Sequence, residues 1–154
     1  MISTTLLVLA AVVQTSQGAR QQANVVMPEN ARQRQFQEQF GYADAVVSNG
    51  IAYLSGVPVY LAPGETDTDK AFTRAFEALG KILARAGASW DDVVEVRSVH
   101  TDVNAQIDAM VKVKNRYMKG KPPAWTAVGT NGLLQPGGIA EITLVAHVPE
   151  KPKK

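Results

Sequence analysis

The hydrophobic spacing between residues 42 and 148 changes repeatedly between a repeat of two residues and a repeat of three to four. Two β-prone runs come first, at 42–48 and 51–59, and they are separated by Asn49 and Gly50. Asn-Gly is the pair that best tolerates the positive φ values of a type I′ turn, so a β-hairpin is predicted. Because helical spacing follows, the chain is restricted to folds in which helices and a sheet share one core.

The next segment has the spacing of an amphipathic helix. It is predicted to begin after an N-cap at Thr66 or Asp67, to continue through Ala86 and to end at Gly87 as its C-cap. The apolar positions recur at three- and four-residue steps, as expected for one buried face. They are Phe72, Ala75, Phe76, Leu79, Ile82, Leu83 and Ala86.

A second helix and three further strands complete the pattern. The strands are predicted over residues 93–101, 124–130 and 139–148, where β-branched and apolar residues are bounded by proline and glycine. The helix is predicted over about residues 105–118, after a cap at Asn104. The predicted order of elements is therefore ββαβαββ, an α+β fold with a mixed sheet.

At 154 residues and 45% hydrophobic composition, the chain can bury one core of ordinary size and is too short for two full domains. The domain is predicted to span residues 40–150, after a mobile polar segment at 19–39 and before a basic tail at 151–154. Two helices cannot cover both faces of such a sheet, so both are expected on one face. The most economical cover for the other face is a further copy of the chain, which favours a symmetric oligomer.

The N-terminus has the features of an export signal. An apolar run, LLVLAAVV at residues 6–13, is followed by the small residues Ser16 and Gly18, which a signal peptidase accepts before its cut. Residues 1–18 are therefore predicted to be a signal peptide, and the protein is predicted to be exported, either periplasmic or secreted. Because no Lys or Arg precedes the run, a docked or frayed apolar helix stays an alternative. The run is too short to span a bilayer.

Composition excludes several functional classes. The formal net charge is +2 with both signs interspersed, so no large basic surface is expected to bind nucleic acid or an acidic membrane. The chain has no cysteine, and its two histidines are His100 and His147, so no metal site is predicted. It has no phosphate-binding loop or dinucleotide fingerprint, and no cofactor is expected.

Two residues have unusual surroundings for their type. Glu141 lies in an otherwise apolar predicted strand, and Trp125 lies in the preceding strand among the small residues Ala124, Thr126 and Ala127. A strand glutamate is more often solvated than catalytic, and a tryptophan is more often buried in a core or an interface than used to bind a ligand. Both interpretations stay open from the residues alone.

Several segments resemble the Rid family, which is also known as RidA, YjgF or L-PSP endoribonuclease-like. These segments are FGYADAVVSNGIAYLSG at 40–56, LARAGASWDDVVEVRSVHTDV at 83–103, PPAWTAV at 122–128 and GGIAEITLVAHV at 137–148. The resemblance implies a chorismate mutase-like fold and a homotrimer with small-molecule sites in the clefts between subunits. It also implies an activity: hydrolysis of reactive enamines and imines to ketones and ammonia.

The resemblance assigns site residues by position. The family's tyrosine, serine and glutamate correspond to Tyr42, Ser55 and Glu141. The arginine that binds the substrate carboxylate in active members is replaced by Trp125, and the cysteine two residues later is replaced by Ala127. Loss of a bidentate guanidinium contact removes on the order of several kcal/mol from carboxylate binding.

Two functional hypotheses follow. One is a divergent C=N hydrolase in which Glu141 positions water, Ser55 polarises the reacting centre, and the substrate lacks a carboxylate. The other is a non-catalytic trimer that binds a small organic molecule, with Glu141 and Tyr42 as hydrogen-bonding anchors. In either case Tyr42, Trp125 and Ala127 are predicted to contact the ligand, which is neutral, aromatic or a cation stacked on the indole. Ribonuclease activity is disfavoured because the chain has neither a basic stripe nor a suitable histidine pair.

Overall fold

The structure, a computed structural model, describes residues 18–150. Seven strands and four helices lie in this part of the chain, together with a 3₁₀ turn at Trp90–Asp92. The helices are α1 (Ala19–Gln22), α2 (Ala31–Phe40), α3 (Thr68–Ala86) and α4 (Val103–Tyr117). The strands are β1 (Asn24–Val26), β2 (Ala45–Ser48), β3 (Ile51–Leu54), β4 (Val57–Tyr60), β5 (Val93–His100), β6 (Ala124–Gly129) and β7 (Gly138–His147).

The predicted hairpin is confirmed. Strands β2 and β3 pair antiparallel, and Asn49 and Gly50 between them have φ values of 51° and 73°, as a type I′ turn requires. The prediction of one strand over residues 51–59 is wrong, because the chain breaks at Ser55 and Gly56. The parts on either side of the break, β3 and β4, each pair with β7.

The strands form one mixed sheet, as predicted. The order is β1-β2-β3-β7-β5-β6, and β4 also pairs with β7. Strands β5 and β6 are parallel and are joined through α4, whereas the other pairs are antiparallel. A parallel neighbour needs a crossover of this kind, since a tight turn can only reverse the chain.

Helix α3 has the predicted caps. The Asp67 side chain accepts a hydrogen bond from the Lys70 backbone N–H at 3.2 Å, and Gly87 ends the helix in the left-handed region with φ 86°. All the predicted apolar positions are buried. The second helix, α4, begins two residues before the predicted start. Its cap is Asp102 rather than Asn104, because the Asp102 carboxylate already accepts from the Ala105 N–H at 3.1 Å.

Both long helices contribute to one core on one face of the sheet. Helix α3 packs over β2, β3 and β4, and α4 packs beside α3 and over β6. Alternate residues of β7 are buried in this core: Ala140, Ile142, Leu144 and Ala146. The residues between them are half-buried and lie on the opposite face: Ile139, Glu141, Thr143 and Val145. Cover of that face by further copies of the chain stays a prediction.

The expectation of a mobile segment at residues 19–39 is wrong where the structure describes it. Strand β1 pairs with β2, and α2 is a helix of ten residues. The Asn30 side chain caps α2 by accepting from the Gln33 N–H at 3.1 Å, and Arg34 donates twice to the Pro28 carbonyl, at 3.2 and 3.0 Å. The packed domain therefore begins before residue 40.

Two further predictions concern the ends of the chain. The signal segment, apart from Gly18, and the basic tail at 151–154 lie outside the described residues. Within residues 18–150, no helix combines the length and the hydropathy needed to cross a membrane.

Candidate functional site

Three of the predicted site residues converge where β3 gives way to β4. Tyr42 follows Gly41, the left-handed C-cap of α2, and Ser55 follows β3. Glu141 lies on β7 opposite Pro58 of β4. The carboxylate of Glu141 lies against Gly56 so closely that a Cβ atom at position 56 would overlap it. The Ser-Gly break therefore gives the glutamate its place on the sheet.

The charge of Glu141 acts on two tyrosines. Burial raises the pKa of the Tyr42 phenol, and the charges of Asp44 and Glu141 raise it further. Burial also raises the pKa of Tyr60, with Glu141 as the next cause. Both phenols therefore stay protonated at neutral pH and can donate hydrogen bonds. Tyr60 was not predicted as a site residue, because nothing in the sequence of residues 51–59 indicates that the strand after the break pairs with the strand of Glu141.

The Ser55 hydroxyl is engaged in the loop that carries Tyr42. It donates to the Ala43 carbonyl at 2.6 Å, and the Ser55 N–H donates to the Asp44 carbonyl at 2.9 Å. In this arrangement the hydroxyl can accept a hydrogen bond from a ligand, but its proton is already in use. Ser55 thus fixes the position of Tyr42.

Asp44 joins α2 to α3. Its carboxylate accepts from Gln37 Nε2 at 2.6 Å and forms an ion pair with Arg85, which also donates to the Met27 carbonyl at 3.2 Å. Two buried atoms of these partners, Gln37 Oε1 and Arg85 Nε, have no hydrogen-bond partner. No sequence pattern indicated this cluster, because Asp44 and Arg85 are 41 residues apart along the chain.

A groove of about 930 Å³ connects these residues. Its walls come from α2, from the loop around Tyr42, from β4 and from the outer face of α3. The lining residues that matter here are Phe36, Gln37, Tyr42, Ser55, Gly56 and Tyr60. Glu141 is not itself a lining residue, but its carboxylate lies against Gly56, which is.

Trp125 and Ala127 lie on the opposite face of the sheet from Glu141. Trp125 is in register with the buried Val96 of β5, whereas Glu141 is in register with Val99. Residues three apart on a strand point to opposite faces. Ala127, two residues after Trp125 on the edge strand, shares the face of Trp125 and is exposed. Within one chain the structure therefore does not bring Trp125 and Glu141 together, and a shared pocket needs a second copy of the chain.

The Trp125 indole is fixed by a buried polar network. Its Nε1–H donates to Ser98 Oγ at 3.0 Å, and Ser98 Oγ lies 2.9 Å from His100 Nε2. His100 Nδ1 lies 3.2 Å from Gln106 Oε1. Burial lowers the pKa of His100, so the imidazole is neutral, accepts from Ser98 and carries its proton on Nδ1.

Lys114 lies beside the same indole. Its Nζ is 5.2 Å from the Trp125 ring centroid and 2.7 Å from Asn115 Oδ1. The Lys114 residue is only 8% exposed although it carries a charge. A ligand cation stacked on this indole would meet the ammonium group, so the structure disfavours that part of the sequence prediction.

The described residues contain no group of three or more His, Asp or Glu side chains that could hold a metal ion. His100 is enclosed by Ser98 and Gln106, and His147 is exposed at the end of β7. The chemistry available at the groove is therefore that of two protonated phenols and an aromatic wall, with charged side chains of both signs in the lining and the Glu141 carboxylate against Gly56.

The fold and the site together define a class of small α+β proteins. Two long helices cover one face of a mixed sheet, and a glutamate of the last strand lies against a residue that lines a groove. The chain belongs to the Endoribonuclease L-PSP family, whose model matches residues 32–148. The resemblance to the Rid family is thereby confirmed.

Individual relatives agree with this assignment. The chain is 35% identical over 113 residues to the RutC family protein YjgH of Escherichia coli (strain K12), covering 71% of this chain and 85% of that protein. A solved structure of a protein YjgH superposes with a TM-score of 0.68 at 32% identity, covering 84% of this chain and 98% of the other. A YjgF-family structure from Mycobacterium tuberculosis gives 0.70 at 23% identity, covering 82% and 99%, and this supports the fold alone.

Proposed function

We propose that this chain is a Rid-family protein that hydrolyses a reactive imine or enamine lacking a carboxylate group. The observation that carries the proposal is the position of the Glu141 carboxylate, which lies against Gly56 at the end of the groove and is close enough to raise the pKa values of Tyr42 and Tyr60. A carboxylate beside two phenol donors is suited to proton transfer and to polarising a C=N bond.

The reaction is redox-neutral. A water oxygen adds to the carbon of the C=N bond while Glu141 accepts one proton from that water. The nitrogen, held by a phenol O–H of Tyr42 or Tyr60, gains the proton. The hydroxyl proton of this tetrahedral intermediate then passes through Glu141 to the nitrogen. The C–N bond breaks as the C=O bond forms, and the products are a carbonyl compound and ammonia. Because the Ser55 hydroxyl donates to Ala43, Ser55 serves in this scheme as a hydrogen-bond acceptor and as support for the Tyr42 loop.

Trp125 restricts the substrate class. Where the active family members hold an arginine, this chain has an indole whose N–H is used by Ser98 and one side of which is next to Lys114. A carboxylate would lose its bidentate partner and would find at this indole only the Lys114 ammonium, which is 8% exposed and already donates to Asn115. A cation would be repelled by the same ammonium. An uncharged ligand fits both conditions.

The proposed assembly is a homotrimer with the sites in clefts between subunits. In its support, Glu141 and Trp125 lie on opposite faces of the sheet, so one pocket can contain both only if a second chain supplies one of them. Two apolar residues of β7, Ile139 and Val145, also lie on the face that the helices leave open. Export through residues 1–18 belongs to the same proposal.

A second candidate, a trimer that binds a small molecule without turnover, is favoured by one observation. The Ser55 hydroxyl proton is occupied by Ala43, and Ser55 was one of the two residues expected to act on the substrate.

The experiment compares ammonia release from imines with and without a carboxylate, generated in situ by a flavin-dependent amine oxidase. The proteins are the wild type and Glu141→Gln, which keeps the size of the side chain and removes its charge. Turnover of a neutral imine that the variant loses by a factor of about 100 or more supports the hydrolase. Binding of the ketone product without any turnover supports the second candidate. Efficient hydrolysis of a 2-imino acid contradicts the role given to Trp125.

A further inference from the structure

We propose that helix α2 forms an aromatic subsite in which Phe36 binds the flat, uncharged aryl group of the ligand. The inference deepens the proposed function, on which it rests for the identity of the reacting group: the substrate becomes an aryl-substituted imine or enamine. It also rests on observations of its own, which are the contacts of α2 described below. The sequence pattern of residues 19–39 did not predict that this segment takes part in a site.

Phe36 is presented to the groove as part of an aromatic cluster. Its ring stacks on Phe40 at a centroid distance of 4.4 Å and meets Tyr42 edge-on at 6.5 Å and 88°. Phe36 and Tyr42 both line the groove, and they stay 39% and 38% exposed. Aromatic rings in this arrangement leave a further ring with both a face and an edge to pack against.

Phe36 is held in place from two directions. Gln37, its neighbour in α2, donates to Asp44, and Asp44 pairs with Arg85 of α3. At the other end of the helix, Arg34 holds the Pro28 carbonyl with two hydrogen bonds. A wall anchored in this way binds a ring without a large cost in ordering the protein.

The groove also has an unused polar group beside the aromatic wall. Gln37 is only 8% exposed, lines the groove, and its Oε1 has no hydrogen-bond partner. A buried acceptor without a partner costs stability. Because this oxygen is itself fully enclosed, a ligand N–H can bond to it only after the amide turns toward the groove, and such a ligand gains affinity. Charge gives no preference for an ion, because the charged residues of the lining nearly balance. Arg74 pairs with Glu65 and Arg85 with Asp44, which leaves Glu29 and Glu77 against Arg32 and Lys81. The ligand class is therefore a planar, uncharged aromatic group next to an N–H.

Benzamide is the probe, because it is flat, uncharged and carries an N–H beside its ring. Cyclohexanecarboxamide is the matched probe without aromatic character, and benzoate is the charged one. Binding is measured by calorimetry or by ligand-observed NMR on the full chain in its natural assembly. We expect benzamide to bind at least about fivefold more tightly than either comparison probe.

Phe36→Leu tests the wall, and Phe40→Leu is its control. Both residues are phenylalanines of α2, but only Phe36 lines the groove. Phe36→Leu is expected to weaken benzamide binding by about threefold to tenfold, and Phe40→Leu by about twofold or less. Equal losses in the two variants would overturn the proposal, as would unchanged binding in Phe36→Leu. A change of oligomeric state in Phe36→Leu with unchanged benzamide affinity would also overturn it, because Phe36 would then contact a second copy of the chain.

Binding and turnover separate this inference from the proposed function. If benzamide binds through Phe36 but no imine is hydrolysed, the aromatic subsite stands and the hydrolase proposal fails. If neutral aliphatic and aromatic imines are hydrolysed equally well and Phe36→Leu has no effect on either, the hydrolase stands and the subsite fails.

Discussion

The indole N–H of Trp125 donates to the hydroxyl of Ser98 at 3.0 Å, which ties the edge strand β6 to the buried centre of the sheet. Ser98 is fully buried, as is His100, to which its hydroxyl is also bonded at 2.9 Å. Trp125, which the resemblance places at the family's arginine position, is therefore built into a polar network inside the chain. Its orientation depends on buried neighbours as well as on any partner or ligand.

The first prediction concerns Ser98. Replacing Ser98 with alanine leaves the Trp125 N–H and His100 Nε2 buried without partners, which costs about 1–3 kcal/mol of the free energy of unfolding. Urea denaturation measures this loss. Hydrogen exchange of the Trp125 indole N–H, followed by NMR, is expected to accelerate in the variant. The indole N–H of Trp90, which packs against Phe76 and Tyr117, serves as an internal control and should keep its rate.

The second prediction is a pH dependence of stability. Burial lowers the pKa of His100 in the folded protein, so the unfolded chain binds a proton at this site more readily than the folded one. The stabilisation from neutral His100 is fully present above about pH 6.5, the ordinary value, and is lost as the pH falls from there toward the lowered value. Urea midpoints between pH 7.5 and 5 should therefore fall less steeply in His100→Gln than in the wild type. His147→Gln, at an exposed histidine, should keep the wild-type slope, and equal slopes in all three proteins would contradict the prediction.

Short-range signals in the sequence predicted the β2–β3 hairpin turn and both ends of α3. The Asn49-Gly50 turn was readable because its φ values depend on the two turn residues, and the ends of α3 were readable because Asp67 and Gly87 act within one helical turn. Most strand positions followed from alternation.

Contacts between distant residues explain what the sequence did not predict. Helix α2 has little apolar periodicity, and its position depends on an ion pair between Asp44 and Arg85, 41 residues apart. Position 56 needs a glycine because Glu141, far along the chain, occupies the space that a side chain there would take. The face chosen by Trp125 could not be read from its small neighbours, since only the register with β5 determines it.

The third prediction tests the fit between Gly56 and Glu141. A methyl group at position 56 would overlap the Glu141 side chain, so Gly56→Ala should displace the carboxylate and lower the free energy of unfolding by about 1–3 kcal/mol. Ammonia release from a neutral imine should fall with it. Gly132→Ala is the matched control, because a Cβ atom there would meet nothing within 4 Å. If Gly56→Ala leaves both stability and activity unchanged, Glu141 does not depend on this glycine.

The fourth prediction concerns export. If residues 1–18 are a cleaved signal peptide, the mature chain begins at Ala19, the first residue of α1. Mass spectrometry of the protein from the periplasmic or secreted fraction should then give a chain that lacks these 18 residues. Gly18→Pro, which places a rigid ring at the cut, should leave the uncleaved chain attached to the export machinery. Recovery of the full-length chain from the cytoplasmic fraction alone would contradict the prediction.

The fifth prediction asks whether one site contains residues of two chains. Glu141 and Trp125 lie on opposite faces of the sheet in one chain, so the proposed pocket takes Glu141 from one subunit and Trp125 from its neighbour. An assembly made only of Glu141→Gln chains, or only of Trp125→Ala chains, should be inactive. When the two variants are unfolded, mixed in equal amounts and refolded together, about one quarter of the sites should combine an intact Glu141 with an intact Trp125.

Ammonia release should then return to about one quarter of the wild-type value. Two copies of the same variant, refolded in the same way, control for recovery by refolding itself. The result separates the two arrangements because a site built within one chain gains nothing from mixing: each subunit would still lack one of its two residues. No recovery in a mixture that assembles normally would therefore show that Glu141 and Trp125 do not act across a subunit boundary.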